Sequence, residues 1–575
     1  MRTRLSAVGV FALVVAGQAL AQPAVLDRVP AGSALIVVTR DMQKASERAK
    51  PLTALLGGRA DMPGGELLKA AERLMALPGV KKDGSLAMVM PTAPSEDDLE
   101  DAPEPSILVL APVTDYAAFA AALGGTATGL SEVVIEGQPV CVRDLGNGVA
   151  LLGGPRGAVE GFKADGGNLA AHKARLGTAG RKVADESDVV IIADAQAYKQ
   201  QIESGEADFG VGRGMGGVGA LAGQIEGPGA AITNLRKALA RDGRVAVVGM
   251  TGSEAGYALD IAGVFAEGSE SAKMFEKNGD SAGLMARLPS QPFYLAGAFD
   301  MSAPGVRSLM SQDEPAKGEG EAVPTAFDAL SGAMKKADGM AVVIGANKAG
   351  PLAGIFLNTV AFISTKESKS MLGAIRENGE KMKETTLGGT KVKVDYKKDV
   401  AEASGVKFDA WATTIVPDPN DPNAFMAGMM MQTLFGQSRG FGQMAAATEG
   451  GLIMTMSQNT PLMSSAIEAA KSGKGMGDDA GLAVVRANLP ASRSMEMYLG
   501  TQTIMDAAIP MLEDYLGEEI AVPKNIPPVG MAGSMEGGAM TMRLFVPMGV
   551  VRAAEAMMKA MKAAEDAFEP MNGGT

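Results

Sequence analysis

One stretch recurs along the chain and limits what it can fold into. Val29-Pro30-Ala31-Gly32-Ser33-Ala34-Leu35-Ile36-Val37-Val38-Thr39-Arg40-Asp41-Met42 returns as Leu288-Pro289-Ser290-Gln291-Pro292-Phe293-Tyr294-Leu295-Ala296-Gly297-Ala298-Phe299-Asp300-Met301. In both copies Asp follows Pro by eleven positions, and Leu489-Pro490 starts a third copy with Thr501 at that offset. The pattern predicts a proline opening a strand, a buried apolar strand, and a helix N-cap. Proline is tolerated where a strand begins, because no ladder bond is lost there. Asp or Thr suits a helix start, where its side chain accepts from an orphan backbone N–H.

The neighbouring segments repeat in the same order. Asp-Gly strands begin at Asp83, Asp242 and Asp338, and each is followed by a returning strand and a capped helix, across a short turn in the last two and across an acidic loop in the first. Corresponding landmarks are offset by 259 (Pro30 to Pro289), 255 (Gly84 to Gly339), 303 (Gly148 to Gly451) and 287 (Gly243 to Gly530). The ordered offsets predict two tandem homologous halves, 24–285 and 286–570, each made of repeated β-α-β-β-α modules. The jump to 303 implies an insertion in the second half, placed at the Pro- and Met-rich residues 417–444. Apolar strands joined by short turns imply an α+β fold with mainly antiparallel sheets and helices packed on one face.

Residues 1–21 read as a signal peptide. Arg2 and Arg4 precede a mostly apolar run, and Ala19-Leu20-Ala21 fits a small-x-small cleavage site. No later run is long enough to span a bilayer, since Leu352 to Ile363 is about half the length required. The expectation is a periplasmic or secreted protein without an integral span after cleavage. Loss of Arg2 and Arg4 takes the formal charge from −13 to −15, which argues against nucleic acid and anionic lipid as partners. Cys141 is the only cysteine, so stability comes from a core rather than from disulfides. It lies in a predicted strand and reads as a buried, inert thiol.

The motifs that carry chemistry are weak when weighed one by one. His172, the only histidine, lies in the basic segment Ala171-His172-Lys173-Ala174-Arg175 and is expected to be exposed. One His and one Cys cannot fill a zinc or copper shell. Gly436-Gln437-Ser438-Arg439-Gly440 has nucleophile-elbow spacing. It follows a helical pattern instead of a strand, and the histidine precedes the serine. Gly212-Arg213-Gly214-Met215-Gly216-Gly217 has dinucleotide-binding spacing but follows a polar helical pattern. The acidic residues 96–104 lack the alternating ligands of a calcium loop. Asp41, Asp194 and Asp300 stand at strand ends, where capping competes with a catalytic reading. Met426, Met429, Met430, Met431, Met454, Met456, Met495 and Met497 gather in the second half. They read either as core filler or as a surface for apolar partners or Cu(I). The segment 424–435 is the best place for the second reading.

The repeated Leu/Val-Pro strand openings and Asp-Gly strands behind a signal peptide resemble an uncharacterised, domain-of-unknown-function family of exported bacterial envelope proteins. That resemblance implies export and architecture, and it supplies no catalytic, cofactor or metal residue. The expected function is non-enzymatic binding of a protein or apolar ligand in the cell envelope. The alternatives are a carboxylate-dependent hydrolase and a purely structural envelope protein.

Overall fold

A computed structural model describes residues 24–56, 72–92, 106–135, 137–164, 166–204, 226–310, 337–347, 350, 354–381, 384–387, 390–416, 424–436, 440–517 and 519–568. The signal peptide, the acidic loop, the glycine-rich run, residues 417–423 and the serine of the Gly436–Gly440 motif lie outside the described residues. The chain divides into two compact units. One holds Met1–Lys277, Ser308–Ser311 and Met535–Glu555; the other holds Asn278–Arg307, Gln312–Ser534 and Ala556–Thr575. The division falls at 277/278 instead of 285/286. It is discontinuous, because a C-terminal segment counts with the first unit.

The first unit carries β1 (Leu35–Thr39), β2 (Leu86–Met90), β3 (Ile107–Pro112), β4 (Leu130–Ile135), β5 (Gln138–Asp144), β6 (Val149–Gly154), β7 (Val189–Asp194), β8 (Gly243–Ser253) and β9 (Gly256–Phe265). Their order across the sheet is β4-β5-β6-β3-β2-β1-β7-β8-β9, and each pair is antiparallel.

The second unit carries β10 (Phe293–Phe299), β11 (Gly339–Gly345), β12 (Asn358–Ser364), β13 (Glu384–Leu387), β14 (Thr390–Ala403), β15 (Val406–Val416), β16 (Gly440–Thr448), β17 (Gly451–Thr455), β18 (Met495–Leu499) and most of β19 (Val529–Glu536). Their order is β13-β14-β15-β16-β17-β12-β11-β10-β18-β19, again antiparallel. A last strand, β20 (Ala539–Pro547), belongs to the first unit and pairs with β9. The fold is therefore α+β with antiparallel strands.

The first unit's core shows why these strands form. β1 reads Leu-Ile-Val-Val-Thr and is buried at all five positions, because strands flank it on both sides and side chains cover both faces. The alternation of β3 sends Leu108 and Leu110 into one apolar cluster and Val109 and Ala111 into another. The helix Leu169–Glu186 gives Leu176 and Val183 to the first cluster. The helix Tyr116–Ala122 gives Phe119 to the second. Helices thus cover both faces of this sheet, not one face as the strand patterns suggested. The hydrophobic return for covering the second face is about 1.5–3 kcal/mol per large side chain.

The recurring proline does not open its strand. Pro30 precedes β1 by several residues and starts a turn, with the Ser33 amide and hydroxyl both donating to its carbonyl (3.1 and 2.8 Å). β10 and β18 likewise begin a few residues after Pro289 and Pro490. The second unit also holds strands that the expected insertion at 417–444 does not account for. The hairpin β13–β14 is among them, followed by a Ser404-Gly405 turn in which both residues have positive φ (50° and 75°).

Candidate functional site

The second unit's most unusual element is the helix Ala424–Phe435, Ala-Phe-Met-Ala-Gly-Met-Met-Met-Gln-Thr-Leu-Phe. It holds no charged residue, although 21% of the chain is charged. A helix that is apolar all round is normally buried. Yet none of its described side chains is buried, and Met429 is 51% exposed. Its C-terminal turn is well anchored. The Phe435 ring stacks on Phe441 of β16 at 4.7 Å and tilts against Phe356 at 5.8 Å. The amides of Ile355 and Phe356 donate to the carbonyls of Thr433 and Leu434 at 3.1 and 2.9 Å. The backbone approach there is close, since a Cβ on Gly354 would lie 2.6 Å from the Gly436 nitrogen.

The strands beside this helix are stiffened by buried polar groups. Asp409 of β15 is fully buried and accepts from Arg376 Nε (2.7 Å) and Nη2 (3.0 Å), from the Tyr396 hydroxyl, and from the Asp399 amide (3.0 Å). Burial raises the Asp409 carboxyl, but these donors together hold it below the usual carboxylate range. Burial, then the bond to Asp409, pushes the Tyr396 hydroxyl upward. Asp399 sits where β14 bulges, with φ of 49°. Trp411 Nε1 donates to Gln443 Oε1 at 2.6 Å, and its ring stacks with Tyr396. The apolar helix is therefore attached to a rigid ribbon.

The eight methionines do not form one cluster. Met429 is exposed, Met431 and Met456 are half-buried, and Met454 is buried. The side chains of Met426 and Met430 lie outside the described residues. Met454 lies on β17, whereas Met495 and Met497 lie on β18, with β12, β11 and β10 between them. Four strand spacings amount to about 19 Å.

The strand-end aspartates hold backbone. Asp41 Oδ1 accepts the Lys44 amide at 2.9 Å, which is N-cap geometry. Asp194 accepts the Gln196 and Ala197 amides and pairs with Arg175 at 2.9 Å. Asp300 accepts the Ser302 and Asp280 amides at 2.9 and 2.6 Å. Thr501 is not a cap; Gly500 holds that position. A Cβ on Gly500 would lie 1.8 Å from the Phe293 carbonyl oxygen, so no side chain fits there.

His172 is fully buried, contrary to the exposure expected from its basic neighbours. Its Nε2–H donates to the Val29 carbonyl at 2.8 Å. Burial lowers its pKa. The segment is kinked at Gly177 (φ 60°, ψ −165°); His172 and Leu176 are buried before the kink and Gly180, Val183 and Ala184 after it, so the missed signal is the i, i+4 pair His172 and Leu176. Cys141 is buried, and burial pushes its thiol upward.

A shallow cleft of about 350 Å³ in the second unit is lined by Asp280, Asp300, Asp338, Arg287, Phe362 and Ser364, among others. Asp280 caps the helix Ser281–Met285 by accepting from the Gly283 amide. Among the described residues no group of three His, Cys, Asp or Glu is placed to hold a metal. Among them, too, no helix is long and apolar enough to cross a membrane. Comparison with protein-family models, with curated proteins and with solved structures finds no match to this chain.

Proposed function

We propose that this chain is an exported, non-enzymatic envelope protein that binds an apolar segment of a partner protein through the helix Ala424–Phe435. The observation that carries the reading is a charge-free, Met-rich helix whose described side chains all retain solvent contact. Flexible thioethers adapt to varied apolar shapes, and an uncharged surface on an acidic protein has no like charge to repel a partner. Export is supported by the sequence of residues 1–21. An origin by tandem duplication is supported by pairing orders that read alike. β4-β5-β6-β3-β2-β1-β7-β8 in one unit corresponds to β15-β16-β17-β12-β11-β10-β18-β19 in the other.

The test uses Nile red, an uncharged dye whose emission rises on apolar surfaces. The folded protein should brighten it, and Met429→Glu should remove most of that signal without shifting the unfolding midpoint. Unchanged emission in Met429→Glu refutes the reading. A hydrolase is the second reading, favoured by the three carboxylates at the cleft. It requires turnover that disappears in a folded Asp338→Asn variant.

A further inference from the structure

The last strand of the first unit comes from the far end of the chain. β20 pairs with β9 over nine consecutive positions, from Ala539 opposite Val264 to Pro547 opposite Gly256. The fit depends on one small residue. A Cβ on Gly256 would stand 2.2 Å from the Val546 carbonyl oxygen, so only glycine lets the strands approach. Ala539 joins the main apolar cluster of the unit, and Val551 packs with Tyr257, Val546 and Met548.

One contact gives this pairing a chemical address. Asp260 of β9 is 5% exposed and stands directly opposite Arg543 of β20. Arg543 donates Nε to Oδ1 at 2.6 Å and Nη2 to Oδ2 at 2.9 Å, a two-bond fork. The same guanidinium reaches Glu186 of the helix Leu169–Glu186 at 2.8 Å. Burial pushes the Asp260 carboxyl upward, and Arg543 is the main group pulling it back. Without Arg543 a buried carboxylate would face Glu186 with Lys182 as its cationic neighbour.

We propose that the edge of β9 is a strand-acceptor site. Residues 535–555 occupy it as a strap, and Asp260 selects an antiparallel strand with an arginine at the facing position. A lysine there keeps the charge but not the fork, so it should hold the strap less well. The strap is synthesised after β9, so the site stands open until residues 535–555 emerge.

The test is hydrogen–deuterium exchange of the full-length chain, reading residues 256–265. Arg543→Glu, which crowds a third carboxylate against Asp260 and Glu186, should speed exchange there about ten-fold or more. Arg543→Lys should fall between it and the wild type. A synthetic peptide of residues 535–555, added in excess to the Arg543→Glu protein, should restore protection of residues 256–265. The same peptide carrying Arg543→Glu should not. Recovery by the wild-type peptide alone supports the strap even if Arg543→Glu loosens the whole chain. The proposal is overturned if Arg543→Glu leaves β9 protection unchanged, or if the two peptides act alike, including by both failing.

Discussion

The two units differ most in the connection that leaves the third strand of each unit in chain order, β3 in one and β12 in the other. In the first unit, residues 113–148 join β3 to β6. Their helix Tyr116–Ala122 is N-capped by Asp115 and seals one face of the sheet with fully buried Phe119. In the second unit, residues 365–450 join β12 to β17. They add the hairpin β13–β14 and a charge-free helix that leaves Met429 half in solvent. One connection completes a core, while the described side chains of the other's charge-free helix all keep solvent contact. If the proposed binding holds, the sheet strands carry stability and residues 365–450 carry the binding surface.

The largest expected effect breaks the first connection. Phe119→Ala should cost about 3–5 kcal/mol, read as a fall in denaturant midpoint, because a cavity opens in a dry cluster. Arg376→Ala comes next, at about 3 kcal/mol, since it leaves the Asp409 carboxylate buried with too few donors. Equal stability of wild type and Arg376→Ala would show that this pair does not tie the helix Ser368–Lys381 to β15. Asp115→Ala and Asp41→Ala should each cost about 1 kcal/mol by thermal or urea unfolding, as lost caps do.

The His172 prediction concerns pH. Its native pKa is lowered, so below about pH 6.5 the unfolded chain takes up a proton that the native state resists. Stability should be level above about pH 6.5 and fall as the pH drops below it. His172→Gln should flatten that slope in urea titrations. The smallest effect sharpens the comparison: Met429→Glu should change stability by no more than about 0.5 kcal/mol, as an exposed substitution.

How much could be read from residues alone varies with the range of the interactions. The hairpin β8–β9 was legible because Gly256 and a short turn separate two long apolar runs. The cap at Asp41 was legible because capping is local chemistry. The burial of His172 was not, because Lys173 and Arg175 suggested an exposed segment while the ring turns inward to the distant Val29 carbonyl. The hairpin β13–β14 escaped because Lys391, Lys393, Lys397 and Lys398 disguise a strand that is solvated on one face. Thr501 was misread because the cap was decided by the nearness of the Phe293 carbonyl, a tertiary fact. The pairing of β20 with β9 joins residues 283 positions apart and leaves no mark on local periodicity. Of the candidate surface, the helix and its methionines were visible in sequence. Its exposure and the ring stack at Phe435 were not.

The most direct test of the division between stable sheet and adaptable segment is native-state hydrogen exchange along the whole chain. β10, β11, β12 and β17 should open only with the second unit as a whole, while the helix Ala424–Phe435 should exchange at far lower opening free energy. Protection of that helix equal to that of the four strands would contradict the account.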